Sequence, residues 1–580
     1  MDYLAQLQQH NTLLKESLAL SQKALALSQK ENVLQKELIA RLQAQGVQQQ
    51  EQITQLQEKV EALEAEIRRL KKLPPKPDIK PNTKPPDDSD GPPGTPPATG
   101  QGDEADPDDV PKHKVSKPDE STRNQRKQPT KPPPEKSIRV PACGVPPGST
   151  WNGTTPFYVQ DLVIKPTSVE YLLDQWITPD GKTVTAKPPA NLHGHHYGPT
   201  LQAYILHQYF GCGVTQPQLL EWLWDIGLSI SPGELSNLIT KGNEQFQSEK
   251  DEILVAGLRC SSYIQTDDTG ARHQGQNGYC TIICNESFAW YATTGSKSRE
   301  NFLSLLHRPF RTYAMTGNAL DYLRTLKYPQ KWLRVLQPYV GVTFLSYEAW
   351  KACMKEHGLT GKKRLQQASE ALIYASLIEH GLGHLTTFSD GAQQFNVFKH
   401  AQCWVHAERL LYKVHPVNEQ QASAQKWCRT WLWAIYDDLK AFKAEPSKEN
   451  AMKGRLGFLA LIQTRTNCRA LQQALSGLAV IEKELLLVLE DPSLPLHNNL
   501  SESLIREYVK RRKISGGTRS EAGRQSRGHL ASLKKTCRLY GLSFWDYLTD
   551  RLNGAALFPR LESLIEKASQ ILSCGLCSSF

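Results

Sequence analysis

No run of about 18 apolar residues occurs in this chain, which excludes an ordinary transmembrane helix. The opening residues MDYLAQLQQHN lack the basic and apolar blocks of an export signal. The twelve cysteines are scattered rather than spaced as a disulfide framework, so without such a signal they are expected as reduced thiols. The cell interior is the expected compartment, with no membrane partner. Large apolar residues are nearly missing between residues 73 and 137, where Pro, Lys, Asp, Gly and Thr dominate. That segment cannot bury enough surface to offset the entropy of ordering it, which makes it a disordered linker. Acidic residues are nearly missing from another stretch: between Arg506 and Arg538, eleven basic side chains stand against only Glu507 and Glu521. The net charge of +10 is modest, but this concentration of it points to a polyanionic partner.

At 580 residues the chain is too long for one core, and it divides by pattern. Residues 1–72 carry apolar positions every seven residues: Leu13, Leu20, Leu27 and Leu34, then Ile53, Val60 and Ile67 beside Leu56, Leu63 and Leu70. Sustained heptads need a partner helix to cover the seam. β-Branched a positions with Leu at d favour two strands, so a homodimeric coiled coil is expected. Residues 138–196 alternate short β-like runs, FYVQDLVI and VEYLLDQWI, with turn residues, and read as a small β module. Residues 197–257 read as helical. Thr215 to Gln218 and Ser231 to Glu234 each fit a capping box, with Gly227 between the two helices. Such a pair suits a helix-turn-helix presenting Ser236, Asn237, Thr240 and Lys241, although a plain helical connector has the same signature.

From 258 to 550 the pattern becomes α/β. SYIQTDD, GYCTIICN and FAWYATTG read as three strands, with turns at Asn277-Gly278 and Asn285-Glu286-Ser287. LTTFSD and HAQCW supply two more. Helical insertions are expected near 311–383 and 418–490, a helix from about 498, and a C-terminal helix and tail over 551–580.

Three acids stand out by context. Asp267 and Asp390 end strands, and Glu502 begins a helix whose next turns hold Arg506, Lys510, Arg511, Arg512 and Lys513. Phosphodiester cleavage and strand transfer need two divalent ions held by carboxylates, and Mg²⁺ takes hard oxygen ligands while keeping waters. Each acid also has a structural reading: Asp-Gly favours turns, and Glu502 lies three residues after Asn499, where it closes a capping box. The basic helix tips the balance toward a metal site beside a phosphate backbone. Gly516-Gly517 then offers a loop able to approach a backbone closely.

The pieces TDDTG, FSDG, Cys403-Trp404-Val405-His406-Ala407-Glu408-Arg409 and NNLSESLIR, with Arg512-Lys513 after it, resemble the bacterial insertion sequence 66 family of DDE transposases (TnpC type). The run YGPTLQAYILHQYFGCGVTQPQLLEWLWDIGLSISPGELSNLI looks like that family's helical region before its catalytic core, and the likeness extends from about residue 140 to 550. The resemblance implies an RNase H-like core with helical insertions, cleavage and joining of double-stranded DNA at element ends and target, and dependence on Mg²⁺ or Mn²⁺. It implies Asp267, Asp390 and Glu502 as catalytic metal ligands, with Asp268 the rival for the first position. Arg506, Lys510, Arg511, Arg512, Lys513 and Lys241 are the expected DNA contacts. Accessory transposition proteins and a place on the bacterial nucleoid follow from the same likeness.

Departures from the family bear on end recognition. Where the family carries two Cys-x-x-Cys pairs before the helical region, this chain keeps only Cys143, so the β module is a degenerate zinc ribbon and a four-cysteine zinc site cannot form. His193, His195 and His196 lie in a loop that does not replace it. His400, Cys403 and His406 are evenly spaced, but two of them fall inside a family motif, which suits packing or support of the acids. Cys574-Gly575-Leu576-Cys577 has no second pair. The alternative to an active transposase is a transposase-derived DNA-binding or scaffolding protein that no longer cuts.

Overall fold

The computed structural model describes residues 134–189, 192 and 196–577, with side chains to residue 571. The coiled coil expected over 1–72 and the linker as far as 133 lie outside the described residues, as do His193, His195 and the side chains of Cys574 and Cys577. Apart from the short stretch 456–461, the described residues form one compact unit. No helix among the described residues is long and apolar enough to cross a membrane.

Residues 138–174 carry no regular element. Of the β module expected over 138–196, the described residues show only an antiparallel hairpin, β1 (Gln175–Ile177) with β2 (Thr183–Thr185). The run FYVQDLVI alternates as a strand should, but no second layer covers it, and Phe157, Val163, Leu172 and Trp176 stay exposed. Alternation without a packing partner does not make a sheet.

The helical region follows the capping signals closely. α1 (Pro199–Leu206) runs into a π-helical turn, His207–Cys212, closed by Gly213 at φ +88°. α2 (Gln216–Asp225) starts where the Thr215 N–H donates to Gln218 at 3.3 Å. α3 (Pro232–Thr240) starts with the full box: Ser231 N–H to Glu234 at 3.0 Å and Glu234 N–H to Ser231 Oγ at 3.2 Å. Gly227, at φ +86°, turns the chain between them, a conformation that disfavours a side chain. Ile205, Leu219, Leu223, Leu235 and Ile239 form the core of this region. α4 (Glu244–Arg259) then leads into the sheet.

β3 (Tyr263–Gly270), β4 (Tyr279–Cys284) and β5 (Ala289–Thr294) form an antiparallel meander, followed by α5 (Arg299–His307). The insertion at 311–383 contains β6 (Tyr313–Ala314), α6 (Gly317–Thr325), α7 (Gln330–Leu336), β7 (Thr343–Phe344), α8 (Tyr347–Glu356) and α9 (Lys362–Glu379). It has its own core around Trp350, whose indole N–H donates to Ser369 at 3.0 Å. β8 (Thr386–Ser389) returns parallel to β3, and β9 (Lys399–Gln402) parallel to β8, giving the order β5-β4-β3-β8-β9. The remaining elements are α10 (Trp404–Tyr412), α11 (Glu419–Ala444), α12 (Lys448–Ile462), α13 (Arg469–Val480), α14 (Glu482–Leu485), α15 (Asn499–Ser515), α16 (Glu521–Leu539), α17 (Phe544–Asn553) and α18 (Leu561–Cys577).

Strand alternation divides the sheet into two faces. Cys280, Ile282 and Tyr291 meet Leu504, Ile505 and Tyr508 of α15 on one face. Ile264, Ile283 and Trp290 meet Ile253 and Leu254 of α4 and Leu530 and Leu533 of α16 on the other. Each such large side chain, fully buried, contributes roughly 1.5–3 kcal/mol. The exposed edge of β5 is closed by α16: the Tyr291 N–H donates to Ser532 Oγ at 3.0 Å and the Ala289 N–H to Thr536 Oγ1 at 3.2 Å. Gly528 permits this approach, since a Cβ there would lie 3.1 Å from the Tyr291 carbonyl oxygen.

That packing corrects the reading of the basic run. Arg527 and Lys534 are only 6% and 2% exposed. Lys534 donates to the carbonyls of Phe210 and Gly211 at 3.1 and 2.8 Å and pairs with Glu507. Burial alone raises the Glu507 pKa, but Lys535 and Lys534 outweigh it and bring it to about 2. Gly517 does approach a backbone closely, but that of Arg272: a Cβ would sit 2.4 Å from its carbonyl oxygen. A count of charges along a helix does not say which of them face water.

Candidate active site

The register of the central strands sets the site. Gln265 of β3 lies opposite Phe388 of β8 in a parallel pair. Continued two residues further, that register brings Asp267 level with Asp390, on the same face of the sheet. Glu502 reaches that face from the first turn of α15, which packs on it through Leu504 and Ile505.

Two contacts fix the start of α15. Asn498 is fully buried, and its Nδ2 donates to the carbonyl of Thr266, the residue before Asp267, at 3.2 Å. Its backbone N–H donates to the Cys403 sulfur at 3.3 Å. The Trp404 N–H donates to the Leu496 carbonyl at 3.0 Å, so the Cys-Trp and Asn-Asn motifs interlock. His406, one turn along α10, brings Nδ1 to 3.8 Å from a Glu502 carboxylate oxygen. Burial, then Arg409, lowers its pKa against the pull of Glu502, which favours the neutral imidazole. Burial likewise lowers the pKa of His497, against the pull of Glu502.

Electrostatics link the acids. Burial, then Asp390, raises the Asp267 pKa to about 7, with Glu502 and Asp268 adding to the rise and the Asp268 amide opposing it. The Asp268 N–H donates to Asp267 Oδ1 at 2.7 Å, while the Asp268 carboxylate accepts from Gln394 Nε2 at 2.7 Å. Asp390 Oδ1 accepts the Ala392 N–H at 3.0 Å. Among the described residues, no group of three or more His, Cys, Asp or Glu side chains is placed to hold a metal ion.

The histidine and cysteine candidates have other roles. His400 lies opposite Thr387 and contacts Ser389 Oγ at 2.9 Å, with burial taking its pKa down to about 4. Ala401 pairs with Phe388 on the other face, where Cys403 joins the same apolar cluster. His400 and Cys403 are therefore on opposite sides of the sheet.

The expected DNA-contact cations divide. Arg506, Lys510, Lys513 and Lys241 are exposed. Arg511 is 9% exposed, lies 3.9 Å over the Tyr209 ring and donates to the Val214 carbonyl at 3.5 Å. Arg512 donates to the Gly270 carbonyl at 2.5 Å and to Thr269 Oγ1 at 3.3 Å, tying α15 to the end of β3. Arg511 is thus buried, and Arg512 is half-buried and hydrogen-bonded to β3, unlike the four exposed cations. Gln394 and Asn498 were not among the residues picked out from the sequence. Asn498 had a signal, the Asn pair ahead of Glu502; Gln394 had none.

Comparison with known proteins is decisive for the family. Residues 381–526, from just before β8 into α16, match the family model described as Transposase IS66 family. The uncharacterized protein y4jO of Sinorhizobium fredii (strain NBRC 101917 / NGR234) is 39% identical over 325 residues, 54% of this chain and 100% of that relative. The chain belongs to the IS66 transposase family. A second uncharacterized protein of the same strain, y4qI, is 25% identical over 169 residues, 27% of this chain and 31% of its own length. The IS66 match takes in Asp390, the Cys403–Arg409 motif, Asn498 and Glu502, while Asp267 lies ahead of it. The interlocked motifs of α10 and α15 are thus the family segment itself, and β3 supplies the remaining acid.

Proposed function

We propose that this chain is a DDE-type transposase that cleaves and joins DNA at element ends, with Asp267, Asp390 and Glu502 as its catalytic carboxylates. The observation that carries the reading is the strand register, Gln265 opposite Phe388, which continued two residues brings Asp267 level with Asp390 beside the helix whose first turn holds Glu502; burial, then Asp390, raises the Asp267 pKa. Like charges gathered in this way, at a cost to the fold, are a mark of a functional site. The strand order, a three-stranded antiparallel meander extended by two parallel strands, supports an RNase H-like core over 258–550.

Asp267, Asp390 and Glu502 would hold Mg²⁺ or Mn²⁺. Such ions supply Lewis acidity at the phosphate and lower the pKa of an attacking hydroxyl. Asn498 and Cys403 keep the first turn of α15, and so Glu502, in register with β3. Burial and the neighbouring acids favour the protonated form of Asp267, and a bound cation would favour its carboxylate. Arg506, Lys510 and Lys513 on α15, and Lys241 at the end of α3, meet DNA phosphates. The paired helices α2 and α3 contribute to end binding.

Purified protein with Mg²⁺ and an element-end duplex tests the reading. Asp390→Ala and Glu502→Ala are expected to abolish strand transfer and leave DNA binding intact. Normal joining by either variant removes the proposed site.

A further inference from the structure

We infer that the turn joining β3 to β4 is a DNA-binding ribbon, which enters a groove of the duplex with Arg272 and Arg519 on phosphates and Gln274 at its tip against base edges. The inference rests on the transposase reading above and adds a contact outside α15 and Lys241. Beyond Gly270 the two strands stay together. The Ala271 N–H donates to the Gly278 carbonyl at 2.7 Å, and His273 and Gln276 exchange backbone hydrogen bonds at 3.0 and 2.9 Å. Gln274 and Gly275 are left to turn the chain, with φ +50° and +78°. A two-residue turn of this kind needs two left-handed residues, and Asn-Gly or Gly-Gly are the usual pairs. Glutamine is strained there, and such an outlier at an exposed tip points to a side chain kept for use.

The outer edge of the ribbon is bound by the segment after α15. The Thr518 N–H donates to the Arg272 carbonyl at 2.9 Å and the Gln274 N–H to the Thr518 carbonyl at 2.7 Å. His273 Nδ1 meets Thr518 Oγ1 at 2.8 Å. That pairing carries Arg519 to the same end, where Arg272, Gln274, Gln276, Asn277 and Arg519 are exposed. At the root, Lys297 lies 5.4 Å from the ring centroid of Tyr279, the residue opposite Gly270. The acid that follows in the chain, Glu521, is paired with Arg524 at 2.8 Å. From Arg272 to Asn277 no side chain is apolar, which disfavours a protein partner, whose interface would need an apolar centre. Cations beside exposed amides suit DNA instead. A two-stranded ribbon fits the major groove, arginines neutralise phosphates, and a glutamine amide both donates and accepts. The ribbon continues the strand that carries Asp267, so DNA gripped there lies beside the element that holds the first acid.

The test uses full-length protein, a random-sequence duplex, and a duplex library from which wild type selects its preferred sequence. Arg272→Gln and Arg519→Gln are each expected to reduce the slope of log affinity against log salt on the random duplex by about 0.9. Arg334→Gln, at an exposed position of α7 in the insertion, is the control and should leave the slope unchanged. Gln274→Gly relieves the turn and removes the amide side chain. It should keep the slope and not lower the melting temperature, but reduce the preference for the selected sequence over the random duplex by about ten-fold. Unchanged slopes in both arginine variants, or an equal fall in the control, overturn the inference. So does a preference that survives Gln274→Gly or is missing from wild type. DNA binding without joining by wild type counts against the transposase reading alone, and the slopes and the preference still decide the role of the ribbon. Thermal unfolding of the two arginine variants within a few degrees of wild type excludes misfolding.

Discussion

The sulfur of Cys403 accepts the backbone N–H of Asn498 at 3.3 Å, joining two motifs 95 residues apart in the chain. A cysteine thiol is a weak acceptor, but here it meets the amide of a fully buried residue. Burial pushes the Cys403 thiol up to about 11, so it stays protonated and poorly nucleophilic.

Cys403→Ala should therefore do two things. It leaves the Asn498 N–H unpaired, at a cost of roughly 1–3 kcal/mol in urea unfolding. It also loosens the first turn of α15, so joining should fall further than the stability loss alone explains. In native wild-type protein, brief alkylation followed by mass spectrometry should modify exposed Cys143 and Cys212 and leave Cys403 untouched. Rapid labelling of Cys403 would show that the contact does not persist in solution.

The Asp267 carboxyl makes the metal-free fold less stable as pH rises. Its folded pKa of about 7 exceeds the ordinary value of 3.8, so the unfolded state loses its proton first. The resulting stability loss develops between pH 4 and 7 and is complete above that. Asp267→Asn should accordingly raise the melting temperature of the metal-free protein at pH 8 and change it little at pH 4. Mg²⁺ should narrow the difference at pH 8 by stabilising wild type. An unchanged or lower melting temperature for Asp267→Asn at pH 8 would contradict the like-charge picture.

Cations on α15 should fall into two classes. Arg506→Gln and Lys510→Gln each ought to reduce the slope of log affinity for DNA against log salt by about 0.9, with unfolding unchanged. Arg511→Gln and Arg512→Gln ought instead to lower stability, because their guanidinium groups serve Tyr209, Val214 and Gly270. Filter binding across salt, paired with urea melts, separates the two. Equal slopes for all four would erase the distinction.

A third kind of site holds the C-terminal helices. Glu249, 1% exposed, accepts from Arg551 at 3.0 and 3.1 Å, from the Tyr547 hydroxyl at 2.8 Å and from the Leu561 N–H at 3.1 Å. Glu249→Ala leaves the half-buried Arg551 with Asp550 as its remaining acid and the Tyr547 hydroxyl without its acceptor, and should cost roughly 1–3 kcal/mol. A loss below 1 kcal/mol in urea unfolding would mean that water already reaches this pair.

How much of this could be read from the chain depended on the kind of signal. The strands at Tyr263, Tyr279 and Ala289 were legible because both faces are buried and turn residues mark their ends. The helices at Gln216 and Pro232 were legible because a cap is a local device. FYVQDLVI misled for the opposite reason: its alternation was intact, but the layer that should cover it was not encoded nearby. Arg511, Arg527 and Lys534 misled because a basic side chain looks the same in sequence whether it meets solvent or a carbonyl. Asp267, Asp390 and Glu502 were picked out by motif and context. That Asp267 and Asp390 share a face follows from strand register, which no single segment contains, and the contact between Gln394 and Asp268 spans 126 residues with no pattern around it.

Because Asn498 and Cys403 fasten α15 directly to the sheet, the position of Glu502 does not depend on the length of what lies between. The stretch from Lys413 to His497 leaves from one end of α10 and returns beside the other, much as a bracelet returns to its clasp. Its helices are open to lengthening, trimming or exchange during descent without moving the third acid.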